Sequence, residues 1–236
     1  THVKYIDLSA DFRLHDPNDY KIWYGLTHKA KHLIKDSIYS VSEFVKEEIK
    51  KYKIVGNPGC YPTSIQLPLI PLIKAGVIKN NNIIIDAKSG YSGAGKNLEN
   101  KFNHKNIYSS IHAYGIKKHR HMAELDQEFK KTGHKVDYLF SPHLLPTFRG
   151  ILSTIYVEMK KGFSAKKTLL LLSQCAFVFL ASAHGCPLDN VLALGACTET
   201  EIWRFQVIRK KSMDGIRVRD PVVNLNIYIY IIIILY

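Results

Sequence analysis

A short turn at residues 56–59 joins a strand to a helix and places one cysteine where the helix is expected to begin. The turn reads Gly56-Asn57-Pro58-Gly59, and Cys60 follows it directly. Glycine lets the chain bend sharply and lets other groups approach the backbone, whereas proline stiffens the turn. Backbone N–H groups at a helix N-terminus favour a thiolate and can hold an oxyanion. The pattern predicts a nucleophilic Cys60; the alternative is a buried structural cysteine, which is common in proteins.

Short apolar stretches alternate with stretches of helical spacing along the chain of 236 residues. We predict strands at 1–8, 54–55, 83–85, 138–140, 151–160, 191–194 and 203–208, and helices at 42–53, 64–74, 121–131 and 168–180. A proline-bounded loop is predicted over 141–150, and Asp-Pro-Asn at 16–18 predicts a turn. This alternation indicates the α/β or α+β class.

The charge of the chain is strongly basic, with 33 Lys and Arg against 20 Asp and Glu and a formal net charge of +13. The lysines are spread out and do not cluster with aromatic residues on one stripe, so a nucleic-acid partner is not expected. A basic field of this kind attracts anionic substrates. No apolar stretch reaches the about 20 residues of a membrane span, and no secretory signal is visible. We therefore expect neither a nucleic-acid nor a membrane partner.

The cysteine pattern indicates a reducing compartment. The chain has four cysteines, Cys60, Cys175, Cys186 and Cys197. No pair has the C-x-x-C spacing of zinc or redox sites, and they are too sparse for a disulfide scaffold. We expect a cytoplasmic protein without a metal site.

A second segment carries groups that could serve a nucleophilic thiol, which needs an acid–base partner near neutral pH. Residues 114–121 end in His119-Arg120-His121 at the start of a predicted helix, and Glu124 follows. We expect this segment to form an acid–base and anion site in which Glu124 orients an imidazole. The alternative is a solvated basic stretch. A metal site is disfavoured because only two histidines are local and no third ligand has helical spacing.

Three further features suit anions. The glycine-rich loop 89–96 follows a predicted strand, and its backbone donors could line a phosphate or a cofactor, although it lacks the Walker spacing. Arg13 follows a turn, and Arg149 lies in a proline-bounded loop. Arginine suits a carboxylate or a phosphate, but each of these residues could equally form a surface ion pair.

Taken in order, these segments resemble one family, the N-acetyl-gamma-glutamyl-phosphate reductases of the arginine pathway. The resemblance rests on Asp7-Leu8-Ser9-Ala10-Asp11-Phe12-Arg13, Asn57-Pro58-Gly59-Cys60-Tyr61-Pro62-Thr63, the loop 89–96, Tyr114, His119-Arg120-His121, Glu124, and Pro142-His143 with Arg149-Gly150. It covers residues 3–160 and weakens afterwards. Aspartate-semialdehyde dehydrogenases share the Cys–His pairing, but the strings around Cys60 and His119 indicate the reductases.

The resemblance implies part of a Rossmann-type nucleotide domain and a mixed-sheet catalytic and dimerisation domain. We expect a remnant of the first over 1–59, the second over 60–208, and a divergent tail over 209–236. The family's Gly-x-x-Gly strand–turn–helix has no counterpart here, and neither has its C-terminal glycine-bearing helix. The resemblance also implies NADP as the cofactor, a small-molecule acyl phosphate as the substrate, and a homo-oligomer.

The chemistry implied by the resemblance begins with attack of Cys60 on the acyl phosphate, and hydride from NADPH then reduces the resulting thioester to the semialdehyde. His119 would be the acid–base residue, assisted by Tyr114 and Glu124, with His121 as the fallback. The substrate-binding residues would be Arg13, Arg120, Arg149 and Asn57, and the cofactor-binding residues Ser89, Gly90, Gly93 and Gly95. The alternatives are an inactive remnant or dimerisation module, and a Cys–His hydrolase or acyltransferase.

Overall fold

The structure is a computed structural model that describes residues 3–93, 110–163, 168, 171–172, 179–180, 191–198, 201–208 and 228–235. Its strands are β1 (Tyr5–Asp7), β2 (Ser37–Tyr39), β3 (Ile54–Gly56), β4 (Ile83–Gly90), β5 (His112–Ala113), β6 (Tyr138–Leu145), β7 (Ile151–Glu158), β8 (Phe179–Leu180), β9 (Val191–Thr198), β10 (Glu201–Ile208) and β11 (Tyr228–Leu235). Its helices are α1 (Pro17–Tyr24), α2 (Cys60–Lys74) and α3 (Met122–Lys130).

The strands form two sheets. A small sheet has the order β1-β3-β2, and both outer strands run parallel to β3. A larger sheet of eight strands has the order β5-β6-β4-β7-β11-β10-β9-β8. In this sheet β4 runs parallel to β6 and antiparallel to β7, so the sheet is mixed. The predicted α/β class, with a parallel portion and a mixed sheet, is confirmed.

The central helix α2 joins the small sheet to the core of the larger one. It begins at Cys60, as the turn predicted and four residues before the predicted helical spacing of 64–74, because Gly59 has the extended backbone of an N-cap and Pro62 falls in the first turn, where proline is tolerated. Side chains such as Ile65 and Leu69 have no exposed surface and belong to the same cluster as the strand residues Ile83, Phe140 and Ile155. Burial of one such side chain contributes about 1.5–3 kcal/mol, so the position of Cys60 rests on a rigid element.

Three predicted elements in the first two-thirds of the chain are wrong in detail. The predicted helix 42–53 consists of two short 3-10 turns, Ser42–Phe44 and Glu48–Lys51, with no buried residue in either. A helix of that length without a buried face is only marginally stable. The predicted turn at 16–18 begins α1, because the Asp16 side chain caps it by accepting the backbone N–H of Asn18. The first part of the predicted loop 141–150 continues β6, because residues 141–145 pair with β4.

Two predictions concern the C-terminal third. The predicted helix 168–180 is helical at Thr168 and at 171–172, but Phe179–Leu180 is the strand β8, which pairs with β9. The other residues of that segment lie outside the described part of the chain. The apolar stretch near the C-terminus forms β11, which pairs with β7 on one side and β10 on the other. In the portion described, no helix has both the length and the apolar character to cross a membrane.

Candidate active site

Cys60 is exposed and is the first residue of α2, as the turn pattern predicted. The turn before it is held by its backbone, since the N–H of Asn57 donates to the carbonyl of Asp7 at 2.8 Å. Gly56 is required by space, because a Cβ there would lie 2.2 Å from the carbonyl oxygen of Phe12. The segment of residues 7–12, which is distant in sequence, therefore fixes the chain just ahead of the thiol.

The ionisation of Cys60 is set by opposing effects. Desolvation raises the pKa of the thiol, whereas backbone N–H groups of Tyr61 and Cys60 and the positive charge of Arg13 lower it. The backbone N–H groups at the helix start thus lower the pKa of the thiol, as expected, but desolvation raises this pKa by more. Because the pKa is raised, the thiol is protonated near neutral pH and needs a base before it can attack.

Glu124 is buried completely and holds the turn that precedes Cys60. Its carboxylate accepts the backbone N–H of Gly59 at 2.8 Å and the hydroxyl of Tyr39 at 2.9 Å. Its other oxygen lies 3.5 Å from Nη1 of Arg13. Desolvation raises the pKa of Glu124, and Arg13, the Gly59 N–H and Tyr39 lower it.

This position differs from the one expected for Glu124. The carboxylate was expected to orient an imidazole, but among the described residues no hydrogen bond joins it to His119 or His121. α3 instead directs the side chain across to α2 and β2. The carboxylate therefore positions the backbone next to the nucleophile.

His119 lies beside the residue that follows Cys60. Its ring centre is 5.5 Å from that of Tyr61 and 5.5 Å from that of Tyr114. Its Nδ1 accepts the backbone N–H of His121 at 3.2 Å, so the neutral ring carries its proton on Nε2. Desolvation, with a smaller contribution from Arg120, lowers the pKa of His119 to about 4.

His121 lies beside the residue that precedes Cys60. The side chain is buried, and a Cβ added at Gly59 would lie 2.6 Å from its Nε2. Its Nδ1 is also buried and makes no hydrogen bond. Desolvation lowers the pKa of His121 well below its usual value, and the charges of His119, Arg13 and Arg120 add to this effect. Both imidazoles are therefore neutral near pH 7. His119 lies against Tyr61, the residue after Cys60, and His121 lies against Gly59, the residue before it.

Tyr114 lies beside His119 and contacts Tyr61 through its hydroxyl. The Tyr114 hydroxyl donates to the hydroxyl of Tyr61 at 3.1 Å. Desolvation raises the pKa of Tyr114, and the neighbouring Cys60 raises it further. The structure thus brings Tyr114, His119, His121 and Glu124 around the start of α2.

The residues predicted to bind the substrate are only partly brought together. Arg13 is largely buried and donates from Nε to the carbonyl of Asn57 at 2.8 Å. The side chain of Asn57 is turned to its own chain, with Nδ2 donating to the Pro58 carbonyl at 3.2 Å. Arg120 is exposed and lies over the ring of Tyr24, at 5.8 Å from its centre.

Arg149 lies in the loop between β6 and β7. It is exposed, and its guanidinium is 5.3 Å from the ring centre of Phe148 in the same loop. This loop packs on the first residues of the glycine-rich segment. Its role as a substrate contact stays a prediction.

The glycine-rich segment uses its backbone donors within the protein. The N–H groups of residues 90, 91 and 92 donate to the carbonyls of Gly150, Thr147 and Phe148 at 2.8, 3.0 and 2.9 Å. Ser89 is buried and donates to the carbonyl of Gly90 at 2.9 Å. The N–H groups of residues 90–92 are therefore not free to bind the phosphates of a dinucleotide.

The two other glycines of that segment, Gly93 and Gly95, have fewer described contacts. A Cβ at Gly93 would lie 3.3 Å from the hydroxyl oxygen of Ser89, and Gly95 lies outside the described residues. Throughout the part of the chain whose side chains are described, no three His, Cys, Asp or Glu residues lie together as metal ligands. The arrangement is that of a thiol with nearby proton carriers.

A comparison with protein families decides the relationship. Residues 60–202 match the family described as semialdehyde dehydrogenase, dimerisation domain. The chain belongs to this family.

Three curated relatives of this chain share one activity in their names. A probable chloroplastic N-acetyl-gamma-glutamyl-phosphate reductase of Arabidopsis thaliana is 51% identical over 69% of this chain and 41% of its own length. The N-acetyl-gamma-glutamyl-phosphate reductases of Afipia carboxidovorans and Ehrlichia canis are 49% and 43% identical, over 70% and 74% of this chain and 47% and 52% of their own lengths. The chain thus spans about half the length of the curated relatives it matches.

A solved structure is also similar. The crystal structure of aspartate semialdehyde dehydrogenase II complexed with ASA from Vibrio cholerae aligns with a TM-score of 0.49 at 14% identity. The alignment covers 85% of this chain and 62% of that one.

Two residues of this candidate site were not singled out in the sequence. Tyr39 donates to Glu124 across 85 positions of sequence, and no local pattern marks it. Tyr61 directly follows Cys60 within the string Asn57-Pro58-Gly59-Cys60-Tyr61-Pro62-Thr63, so its position was a usable signal. Its surroundings could be known only from the fold.

Replacing Gly59 with alanine should lower the free energy of unfolding by about 1–3 kcal/mol, as overpacking does. The new Cβ would lie 2.6 Å from Nε2 of His121 and 2.9 Å from Oε1 of Glu124, so these groups must shift. Urea unfolding measures the loss. In a His121→Ala background the same change should be milder, and equal losses in both backgrounds would show that His121 is not what Gly59 accommodates.

Proposed function

We propose that this protein is an NADPH-dependent N-acetyl-gamma-glutamyl-phosphate reductase in which Cys60 is the nucleophile. The observation that carries the proposal is the exposed thiol at the start of α2, with one neutral imidazole beside each of its chain neighbours. The names of relatives at 43–51% identity supply the substrate class. A nucleophile next to a proton acceptor is the arrangement that acyl transfer requires.

We assign the role of proton acceptor to His121 and the role of hydrogen-bond donor to His119. The Nδ1 of His119 is engaged by a backbone N–H, and its Nε2 already carries a proton. His121 is neutral, and its Nε2 lies against Gly59, one residue before the thiol. This assignment exchanges the roles expected from the sequence, where His119 was the first choice and His121 the fallback.

The first half of the reaction follows from these assignments. His121 takes the thiol proton of Cys60, and the sulfur attacks the γ-acyl carbon of N-acetylglutamyl phosphate. The carbon–sulfur bond forms, the carbon–oxygen bond to phosphorus breaks, and phosphate leaves with the electron pair. Backbone N–H groups at the start of α2 can stabilise the oxyanion that forms during the exchange.

The second half needs a hydride, which NADPH supplies when it is bound. The Nε2–H of His119 donates a hydrogen bond to the oxygen that carries negative charge after the hydride arrives. The carbon–oxygen double bond then re-forms, the carbon–sulfur bond breaks to release N-acetylglutamate semialdehyde, and the Cys60 thiolate takes its proton back from His121. The cofactor contacts expected at Ser89, Gly90, Gly93 and Gly95 would have to use atoms other than the N–H groups of residues 90–92, which are already paired.

The anionic groups of the substrate are assigned to the basic residues nearest the thiol. Arg13 lies close enough to Cys60 and His121 to affect the pKa of both, and Arg120 affects the pKa of His121. We propose these two residues for the phosphate and the carboxylate, with Arg149 and Asn57 as further contacts. A homo-oligomer and a cytoplasmic location complete the proposal; the dimerisation domain named by the family supports the former.

The proposed function is tested by phosphate-dependent reduction of NADP with N-acetylglutamate semialdehyde as the substrate. The purified protein should produce NADPH only when phosphate and the semialdehyde are both present. Aspartate semialdehyde serves as the control substrate and should react much more slowly. Lack of NADP reduction by a folded preparation, at any phosphate concentration, would contradict the proposal.

A further inference from the structure

The ring of Tyr61 is the common support of both imidazoles. Only 2% of the residue is exposed. Its ring meets those of His119, His121 and Phe140 edge-on, at centre distances of 5.5, 6.0 and 5.3 Å. Edge-to-face contacts at this spacing fix the relative orientation of rings. The residue that follows the nucleophile thus also holds the two proton carriers.

The hydroxyl of Tyr61 makes a second set of contacts. It accepts the Tyr114 hydroxyl at 3.1 Å and donates to the backbone carbonyl of His143 at 3.4 Å. His143 belongs to β6, which lies between β5 and β4 in the larger sheet. Tyr61 therefore ties the start of α2 to the sheet as well as to the segment 114–121.

We infer that Tyr61 is a positioning residue, whose ring holds His119 and His121 beside Cys60 and whose hydroxyl holds Tyr114. The inference rests on the proposed function for its catalytic meaning. It does not need Tyr61 to touch the substrate. It requires that the ring of Tyr61, which contacts both imidazoles, keeps water away from them.

The effect of the ring on the imidazoles can be separated from that of nearby charges. The titratable groups that face the two histidines are Arg13, Tyr114, Arg120 and Glu124, besides Tyr61 itself, and Cys60 lies next to Tyr114. Desolvation is the largest cause of the lowered pKa of both histidines. Removal of the ring leaves every charge in place and admits water, so the pKa values should rise toward the usual 6.5.

The experiment is an NMR titration of the imidazole C–H signals in the protein and its variants, with signals assigned from His119→Asn and His121→Asn. Tyr61→Leu removes the ring and should raise both midpoints by about one pKa unit or more. Tyr61→Phe keeps the ring and should leave them within about 0.3 unit of the wild type. Tyr138→Phe removes a hydroxyl bonded to Asp126 and serves as the control that should change nothing.

The outcomes separate the inference from the proposed function. Unchanged midpoints in a folded Tyr61→Leu protein would overturn the inference, as would equal shifts in Tyr61→Phe and Tyr61→Leu. If Tyr61→Leu does not fold, Tyr61→Met, which fills a similar volume flexibly, replaces it, and the requirement on Tyr61→Phe remains. Because the titration does not need turnover, a wild type without reductase activity would contradict the function alone. In an active protein, the acid limb of kcat should move with the midpoints.

Discussion

Replacing Cys60 with serine should lower kcat for phosphate-dependent NADP reduction by about a thousandfold or more, since loss of a nucleophile removes the covalent route. A serine hydroxyl at neutral pH is a far weaker nucleophile than a thiol that His121 can deprotonate. The side chains are similar in size, and residue 60 is exposed, so stability should change little.

The measurement compares kcat with the rate of alkylation by iodoacetamide. Cys175→Ser is the matched control, because it removes one of the other three cysteines of the chain. The control should keep both kcat and alkylation at the exposed Cys60 thiol, whereas Cys60→Ser should lose both. Substantial turnover by Cys60→Ser would mean that another residue carries the acyl group.

Replacing Glu124 with alanine should lower the free energy of unfolding by about 3–5 kcal/mol, the usual loss when one partner of a buried ion pair is removed. The carboxylate is fully buried, and its removal leaves the Gly59 N–H and the Tyr39 hydroxyl without their acceptor. Arg13 would keep its bonds to carbonyl oxygens but lose its negative partner.

Glu124→Gln provides the graded comparison. Glutamine keeps the shape and one acceptor oxygen, so the loss should be about 1–3 kcal/mol. Glu47→Ala is the control, because Glu47 forms an exposed pair with Lys50 and should change stability by less than about 1 kcal/mol. Urea unfolding measures all three variants. A Glu124→Ala protein as stable as the Glu47→Ala control would show that the carboxylate does not hold the turn.

The same residues show how far prediction from the sequence reached. Cys60 begins α2 and His121 immediately precedes α3, as local patterns at these helix starts predicted. The division of labour between the two imidazoles was not predictable. It depends on which ring nitrogen meets a backbone N–H, and that is a matter of a few ångströms in the folded chain.

The glycine-rich segment shows a use of glycine that the sequence did not reveal. Its glycines suggested a cradle for a phosphate, but the N–H groups of residues 90–92 are paired with the loop 147–150. Gly90 is needed because a Cβ there would lie 2.8 Å from the Phe148 carbonyl oxygen. A glycine that makes room for a ligand and one that makes room for another part of the chain look the same in a sequence.

Local sequence was enough to predict the turn at residues 56–59, the start of α2 and the α/β class, because glycine, proline and apolar spacing act over a few residues. The partners of Glu124 depend on tertiary contacts, since Tyr39 and Gly59 lie 85 and 65 positions away in the chain. Tertiary contacts also decide the extent of β6, whose residues 141–145 are ordered by pairing with β4. Hydrogen bonds and desolvation depend on neighbours in space, and local sequence carries no record of them.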